Sequence, residues 1–227
     1  MPVGVEGWEG GSIAYTASVT WKLLVGLVVA CVCGAQNWEA GGGAGYGFCL
    51  NASINAPGGT ANAGIRNGLV VTGYVTEDLF DYFSGEVRYA YHNGDSFLSS
   101  GSVQGTVQGF SHALTYDALI HFTPRSSRIR PYVGGGFGAK YYESTGPTPI
   151  PQPLPRIAGI TSQSQWKPLF DLAGGVRLRI TDHLVVRGDL HDYITTFPRM
   201  LFVPVANATT HGVLQQISPM FGVGVSF

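Results

Sequence analysis

Lysine is almost missing from this chain, with only Lys22, Lys140 and Lys167 in 227 residues. Charged residues of every kind make up 12%, about half of what a soluble globular domain carries. The formal net charge is -1, which excludes a strongly basic, nucleic-acid-binding surface. Long hydrophobic runs are missing as well. No stretch reaches the roughly 18 to 20 apolar residues of a spanning helix, which excludes a helical membrane bundle. What the chain has in quantity is glycine, 33 residues, and aromatics, 12 Phe, 11 Tyr and 4 Trp. Little charge, much glycine and aromatic surface, and no spanning helix together describe a transmembrane β-barrel.

The first forty residues read as a leader. Lys22 precedes an apolar run from Leu23 to Ala35 that ends in small residues, the layout of a secretory signal peptide. Cleavage after Ala35 leaves residues 36–227 as the mature chain, beginning at Gln36. A second reading takes Val28-Val29-Ala30-Cys31 as a lipobox with Cys31 lipidated; a barrel anchors itself and has less need of an acyl chain. Residues 1–21 carry Glu6 and Glu9 and no basic residue, unlike a leader's first segment, so the translation start is expected near Val19. Cys31 and Cys33 leave with the leader. Cys49 alone remains, and no intramolecular disulfide is expected despite the oxidising compartment.

Beyond residue 36 the dominant period is two, the period of a strand with unlike faces. Eight segments show it. The first carries Trp38, Ala40, Tyr46, Phe48 and Leu50 on one parity; the fourth Phe110, Leu114, Tyr116, Ile120 and Phe122; the last Phe221, Val223, Val225 and Phe227. Charge sits on the opposite parity: Glu39, Glu86, Arg88, Asp117, Lys140, Asp171, Arg177, Arg179, Arg187 and Asp189. One face therefore meets hydrocarbon and the other a polar lumen, where acids and bases balance. A soluble barrel of the lipocalin kind would need the reverse arrangement and a charged exterior.

Connection lengths alternate. Glu77 to Tyr82, Thr123 to Ile129 and Thr181 to His183 are short; Asn51 to Asn67, Asp95 to Gln104, Thr145 to Gln163 and Thr195 to Val213 are long. Short periplasmic turns and long outer loops produce this pattern in an even-stranded barrel. Aromatics near strand ends fit two interfacial girdles, with Trp38, Phe122, Tyr132 and Phe227 at one and Tyr91, Phe110, Tyr141, Trp166 and Tyr193 at the other. The expected fold is all-β, an eight-stranded antiparallel transmembrane β-barrel preceded by a cleavable signal peptide.

Three stretches carry a family resemblance. Arg130-Pro131-Tyr132-Val133-Gly134-Gly135-Gly136-Phe137-Gly138-Ala139 resembles the fifth strand of small bacterial outer-membrane proteins of the OmpA/OmpW-like β-barrel family. Ala173 to Leu184 resembles that family's sixth strand, periplasmic turn and start of the seventh. Phe221-Gly222-Val223-Gly224-Val225-Ser226-Phe227 is similar to its terminal strand with a C-terminal aromatic. The resemblance implies an integral protein of the bacterial outer membrane, a monomer in outer-membrane lipid. It also implies that the barrel-assembly machinery reads Phe221, Val223, Val225 and Phe227.

Chemistry-bearing motifs are sparse. The glycine runs at 41–47 and 134–138 lead into strands rather than the helix a dinucleotide loop requires. His92, His121 and His191 face the lumen, but no close-spaced ligand pair accompanies them, so no metal site and no cofactor are expected. Ser111 and His112 are adjacent on a strand and face opposite sides, so they cannot act as nucleophile and base; no catalytic residue is assigned. Pro147, Pro149, Pro151, Pro153 and Pro155 alternate, an extended segment expected to form a stiff surface loop, and the loop from Gly146 to Ile160 is expected to tolerate shortening with little loss of stability. The leading expectation is a non-enzymatic structural or surface-interaction role with a lumen filled by charge. The alternatives are a narrow channel for small, including hydrophobic, solutes and a lipid A-modifying barrel enzyme.

Overall fold

The computed structural model describes residues 38–227, and among them it has fifteen strands and no helix. The expected leader at residues 1–35, its cleavage before Gln36 and the alternative at Cys31 lie outside the described residues. In chain order the strands are β1 (Trp38–Leu50), β2 (Ala52–Ala56), β3 (Gly59–Ile65), β4 (Gly68–Phe80), β5 (Phe83–Asn93), β6 (Ser96–Ser100), β7 (Val103–Val107) and β8 (Gly109–His121). There follow β9 (Ile129–Ser144), β10 (Ala158–Ile160), β11 (Ser164–Arg179), β12 (Leu184–Thr195), β13 (Phe202–Pro204), β14 (Thr209–His211) and β15 (Leu214–Ser226).

The eight long strands close into an antiparallel barrel in the order β1-β15-β12-β11-β9-β8-β5-β4. Closure comes from β1, which pairs with β4 on one side and β15 on the other. Period-two sequence produces the two faces directly. On β8, Leu114, Tyr116 and Ile120 are more than half exposed, while Thr115 and Asp117 between them are buried. Phe137 and Phe221 stand about three-quarters exposed on the outside, at 74% and 77%. In water such a surface would be strongly unfavourable; against hydrocarbon it is the matched solvent.

Two aromatics differ from the girdle expectation. Tyr132 and Tyr193 are 2% and 1% exposed and point into the lumen. Parity turns both inward; the Tyr132 hydroxyl finds a partner in Asp189, while the Tyr193 hydroxyl has no hydrogen-bond partner among the described residues. Tyr91, Phe110, Tyr141 and Trp166 do lie together outside, with ring centroids 5.8 Å apart for Tyr91 and Phe110 and 4.8 Å for Tyr141 and Trp166.

The long connections are not open loops. They fold into a five-stranded sheet, β14-β2-β3-β6-β7, and a two-stranded one, β10-β13. Together these enclose an apolar core that includes Ile54, Leu98, Ile157, Ile160, Leu201 and Phe202, resting on Tyr142 and Leu214 of the barrel strands. This cap sits at the long-connection end. The proline segment takes part: Gln152 accepts from the Ile160 amide at 2.9 Å and donates to the Ile160 carbonyl at 3.1 Å. The stretch expected to be shortened with little loss of stability, Gly146 to Ile160, supplies Ile157, Ala158 and Ile160 to this core. Below the cap, Val70, Ala90, Ala113, Leu169, Tyr193 and Met220 form a second apolar cluster inside the barrel.

Candidate functional site

Toward the short-turn end, charged side chains from several strands meet inside the barrel. Strand spacing accounts for part of it: Glu86 and Arg88 on β5, and Arg187 and Asp189 on β12, are two residues apart and so share a face. Barrel closure accounts for the rest, because β5 and β12 stand four places apart among eight strands, on opposite walls. Arg187 Nη1 donates to Glu86 Oε2 across the lumen at 2.6 Å, and its Nε to Asp189 Oδ1 at 3.3 Å. Arg88 returns the crossing, donating to Asp189 Oδ2 at 3.0 Å and, through Nε, to Glu86 Oε1 at 2.8 Å. A second crossing joins β11 to β4, also opposite, through Arg177 Nη1 and Asp78 Oδ1 at 2.8 Å. Arg177 also pairs with Glu39, and Arg130 Nη1 reaches Asp78 Oδ2 at 2.8 Å.

Neutral groups complete the lattice. Tyr132 donates its hydroxyl proton to Asp189 Oδ1 at 2.6 Å and accepts from Arg187 Nη2 at 2.8 Å. Thr76 donates to Glu86 Oε2 at 2.6 Å. The Arg187 guanidinium lies 4.3 Å from the Tyr74 ring centroid, a cation-π distance. Room for these side chains comes from small neighbours: a Cβ on Gly224 would meet Tyr74 Oη at 2.7 Å and Glu39 Oε1 at 3.0 Å. The buried Arg88, Arg130, Arg177 and Arg187 face Glu39, Asp78, Glu86 and Asp189 in this knot, and the partly exposed Arg125 reaches Asp78 from its rim at 3.9 Å. Equal numbers matter here, because a buried charge left alone is far more unfavourable than a paired one.

Of the ten charged positions taken from parity, the structure brings Glu39, Glu86, Arg88, Arg177, Arg187 and Asp189 together. Four lie elsewhere. Asp117 and Asp171 are buried further along the lumen, where Asp171 Oδ2 bonds His191 Nδ1 at 2.7 Å. Lys140 donates to Gln216 Oε1 at 2.5 Å. Arg179 is half-buried near the short-turn end, donating to the Arg125 carbonyl at 2.7 Å. Asp78 and Arg130 complete the knot although sequence reasoning leaves them out. Asp78 falls within the connection read from Glu77 to Tyr82, whereas β4 runs on to Phe80. Phe221, Val223 and Val225 all point outward and are exposed.

Hydroxyl–imidazole pairs occur both at the surface and inside: Thr209 Oγ1 lies 3.2 Å from His211 Nε2 on the exterior. Ser111 is buried, while His112 faces out and its Nδ1 bonds the Tyr89 hydroxyl at 2.6 Å. Ser84 lies 2.8 Å from His121 Nε2, a pair not evident from the sequence. Its hydroxyl proton goes to Asp78 Oδ1 at 2.6 Å, so His121 Nε2 is the donor in that contact and has no lone pair to offer as a base.

The comparisons with known proteins agree with this architecture. The family model described as outer membrane protein beta-barrel domain matches residues 24–227. No curated protein matches the chain. Among solved structures, Neisserial surface protein A (NspA) is similar with TM-score 0.51 at 12% identity, covering 85% of this chain and 98% of that one. The outer membrane protein OprG from Pseudomonas aeruginosa gives TM-score 0.54 at 14% identity, over 84% and 95%. The outer membrane protease OmpT from Escherichia coli gives 0.50 at 9% identity, over 84% and 97%. At such identities the likeness is one of fold. The closed eight-stranded barrel, its apolar exterior and a match spanning nearly the whole chain place it: the protein belongs to the outer membrane protein beta-barrel domain family and is integral to a bacterial outer membrane.

Proposed function

We propose that the protein is a closed, non-conducting barrel with a structural or surface-interaction role, its lumen plugged by the arginine-carboxylate knot and its cap presented to the exterior. One observation carries this reading. The pairs Arg187-Glu86, Arg88-Asp189 and Arg177-Asp78 each join strands on opposite walls, so side chains span the lumen rather than line it. An eight-stranded barrel is just wide enough to be filled in this way. Above the knot, the apolar cluster and the cap core lie across the same axis. The barrel-assembly machinery reads the outward Phe221, Val223 and Val225 with Phe227 during insertion. Deleting Phe227 is expected to lower the folded, outer-membrane-inserted fraction, measured by membrane fractionation with and without boiling.

The channel reading is tested by swelling of liposomes carrying the purified protein. No flux of small sugars or amino acids above empty liposomes is expected, and wild-type flux at porin rates would overturn the plug. A lipid-modifying activity finds no support in the buried Ser84-His121 pair or in Ser111 and His112 on opposite faces. Incubation with lipopolysaccharide is expected to leave the lipid A mass unchanged. Loss or gain of an acyl chain would make the protein an enzyme.

A further inference from the structure

Midway along the lumen, beside the balanced knot, lies a cluster without balance. Asp117 on β8, Asp171 on β11 and His191 on β12 are at most 2% exposed, and one ligand atom from each falls within 4.8 Å of the others. Register explains the meeting. Asp117 and Asp171 are both in register with Gly136 of β9, one from either side, and His191 pairs with Ala173, two residues along from Asp171. Gly136 keeps the space between the two carboxylates open, because a Cβ there would collide with Asp117 Oδ1. Sequence spacing could not show this, since the three residues lie on three strands.

Charge pairing separates this cluster from the knot, where Glu39 Oε1, Tyr74 Oη and Arg130 Nε also lack hydrogen-bond partners but every carboxylate meets an arginine. Asp117 Oδ1, Asp171 Oδ1 and His191 Nε2 are each buried with no hydrogen-bond partner among the described residues. Thr115 donates to Asp117 Oδ2 at 2.7 Å and His191 bonds Asp171 Oδ2, so each carboxylate is held by one oxygen and leaves the other unmet. Lys140 donates instead to Gln216, and no arginine pairs with Asp117 or Asp171 among the ion pairs of the described residues. Two buried carboxylates with free oxygens, beside an imidazole with a free nitrogen, form a donor set that lacks a cation.

We propose that Asp117, Asp171 and His191 bind one first-row divalent transition-metal ion that ties β8, β11 and β12 together inside the barrel. The imidazole favours zinc, iron, cobalt or nickel over magnesium or calcium, which take oxygen ligands. Bonds of roughly 2.0 to 2.2 Å require the ligand atoms, now within 4.8 Å of one another, to draw closer on binding. All three ligands are wholly buried, which leaves no route for a substrate, so the ion serves to link the strands, with its fourth position left to a water. It replaces the sequence-based expectation of no metal, and it does not depend on the plug reading, because it concerns strand linkage rather than flux.

The probe is Zn2+ itself. Full-length protein extracted from outer membranes, and protein refolded from urea into detergent with Zn2+, are dialysed and their zinc measured by mass spectrometry. About one zinc per chain is expected in the wild type, with stabilisation by the ion against unfolding. Asp171→Asn and His191→Gln are expected to fall to background zinc while still showing the gel shift of a folded barrel. Asp117→Asn serves as a milder variant should either of those fail to fold. Equal zinc in wild type and in the folded variants, or none in any of them, would overturn the proposal. So would an Asp171→Asn barrel more stable than the wild type under zinc, since the two carboxylates would then be sharing a proton rather than an ion.

Discussion

The barrel and its cap solve opposite problems with one chain. In the barrel the apolar side chains face out and charge is enclosed: Arg88 and Arg187 are both 1% exposed, while Phe221 on the outside is 77% exposed. In the cap the order is the ordinary one, with Ile54, Leu98, Ile160 and Phe202 wholly buried and Arg66 and Arg156 at the surface. The difference lies in the solvent. Lipid removes the hydrophobic reason to bury Leu and Phe, so the barrel is held by its closed hydrogen-bond ladder and, inside, by paired charge. Water restores that reason a few residues beyond the strand ends.

The contrast can be broken at several points. The largest effect is expected from Arg187→Ala, which leaves Glu86 and Asp189 without their central partner. Unfolding of the barrel in detergent should shift by about 3 to 5 kcal/mol, as for a broken buried pair; a shift within error would mean that water reaches the knot. Next comes Leu114→Arg on the outer face. A charge placed toward the bilayer centre costs roughly 2 to 4 kcal/mol in a barrel, and it should do so in lipid vesicles; an unchanged unfolding free energy would place β8 away from hydrocarbon.

A cap substitution should separate the two regions. Leu98→Ala is expected to loosen the cap by about 2 kcal/mol, the low end for an emptied core site that can relax. Limited proteolysis of whole cells should then cut the cap faster while the boiled and unboiled gel bands of the barrel stay as in the wild type. Removing residues 147–160 takes Ile157, Ala158 and Ile160 out of the cap core and should show the same separation more strongly in the proteolysis readout. If either change unfolds the barrel, the two regions are one cooperative unit. The smallest effect is expected from Arg156→Ala, an exposed cap position, within about 0.5 kcal/mol by the same unfolding assay.

The barrel is legible in the sequence because period two survives translation into structure residue by residue. Which way Asp117, Arg187 or Tyr116 points follows from its parity alone. Whom it meets does not. Arg187 meets Glu86, 101 residues away in sequence, only because closure sets β12 against β5, and no local pattern encodes the register of closure. Asp171, counted among the balanced lumenal charges, turns to His191 rather than to an arginine. Asp78 is missed because Glu77 to Tyr82 reads as a connection although β4 runs on to Phe80, and Arg130 because it borders the connection read from Thr123 to Ile129. The cap is illegible for a different reason. Its strands are three to seven residues long, and stretches such as Ala-Ser-Ile-Asn-Ala at 52–56 hold too few large apolar residues to announce a core that several loops assemble jointly.

The most direct test compares two arginines in one sample. With the protein labelled at arginine nitrogen and held in detergent micelles, exchange of guanidinium Nε-H protons with water can be followed by nuclear magnetic resonance. Arg187, enclosed by Glu86, Asp189 and Tyr132, should keep its proton far longer than Arg156 on the cap surface. Equal, fast exchange at both would mean a water-filled lumen and would contradict a barrel closed by its own paired charges.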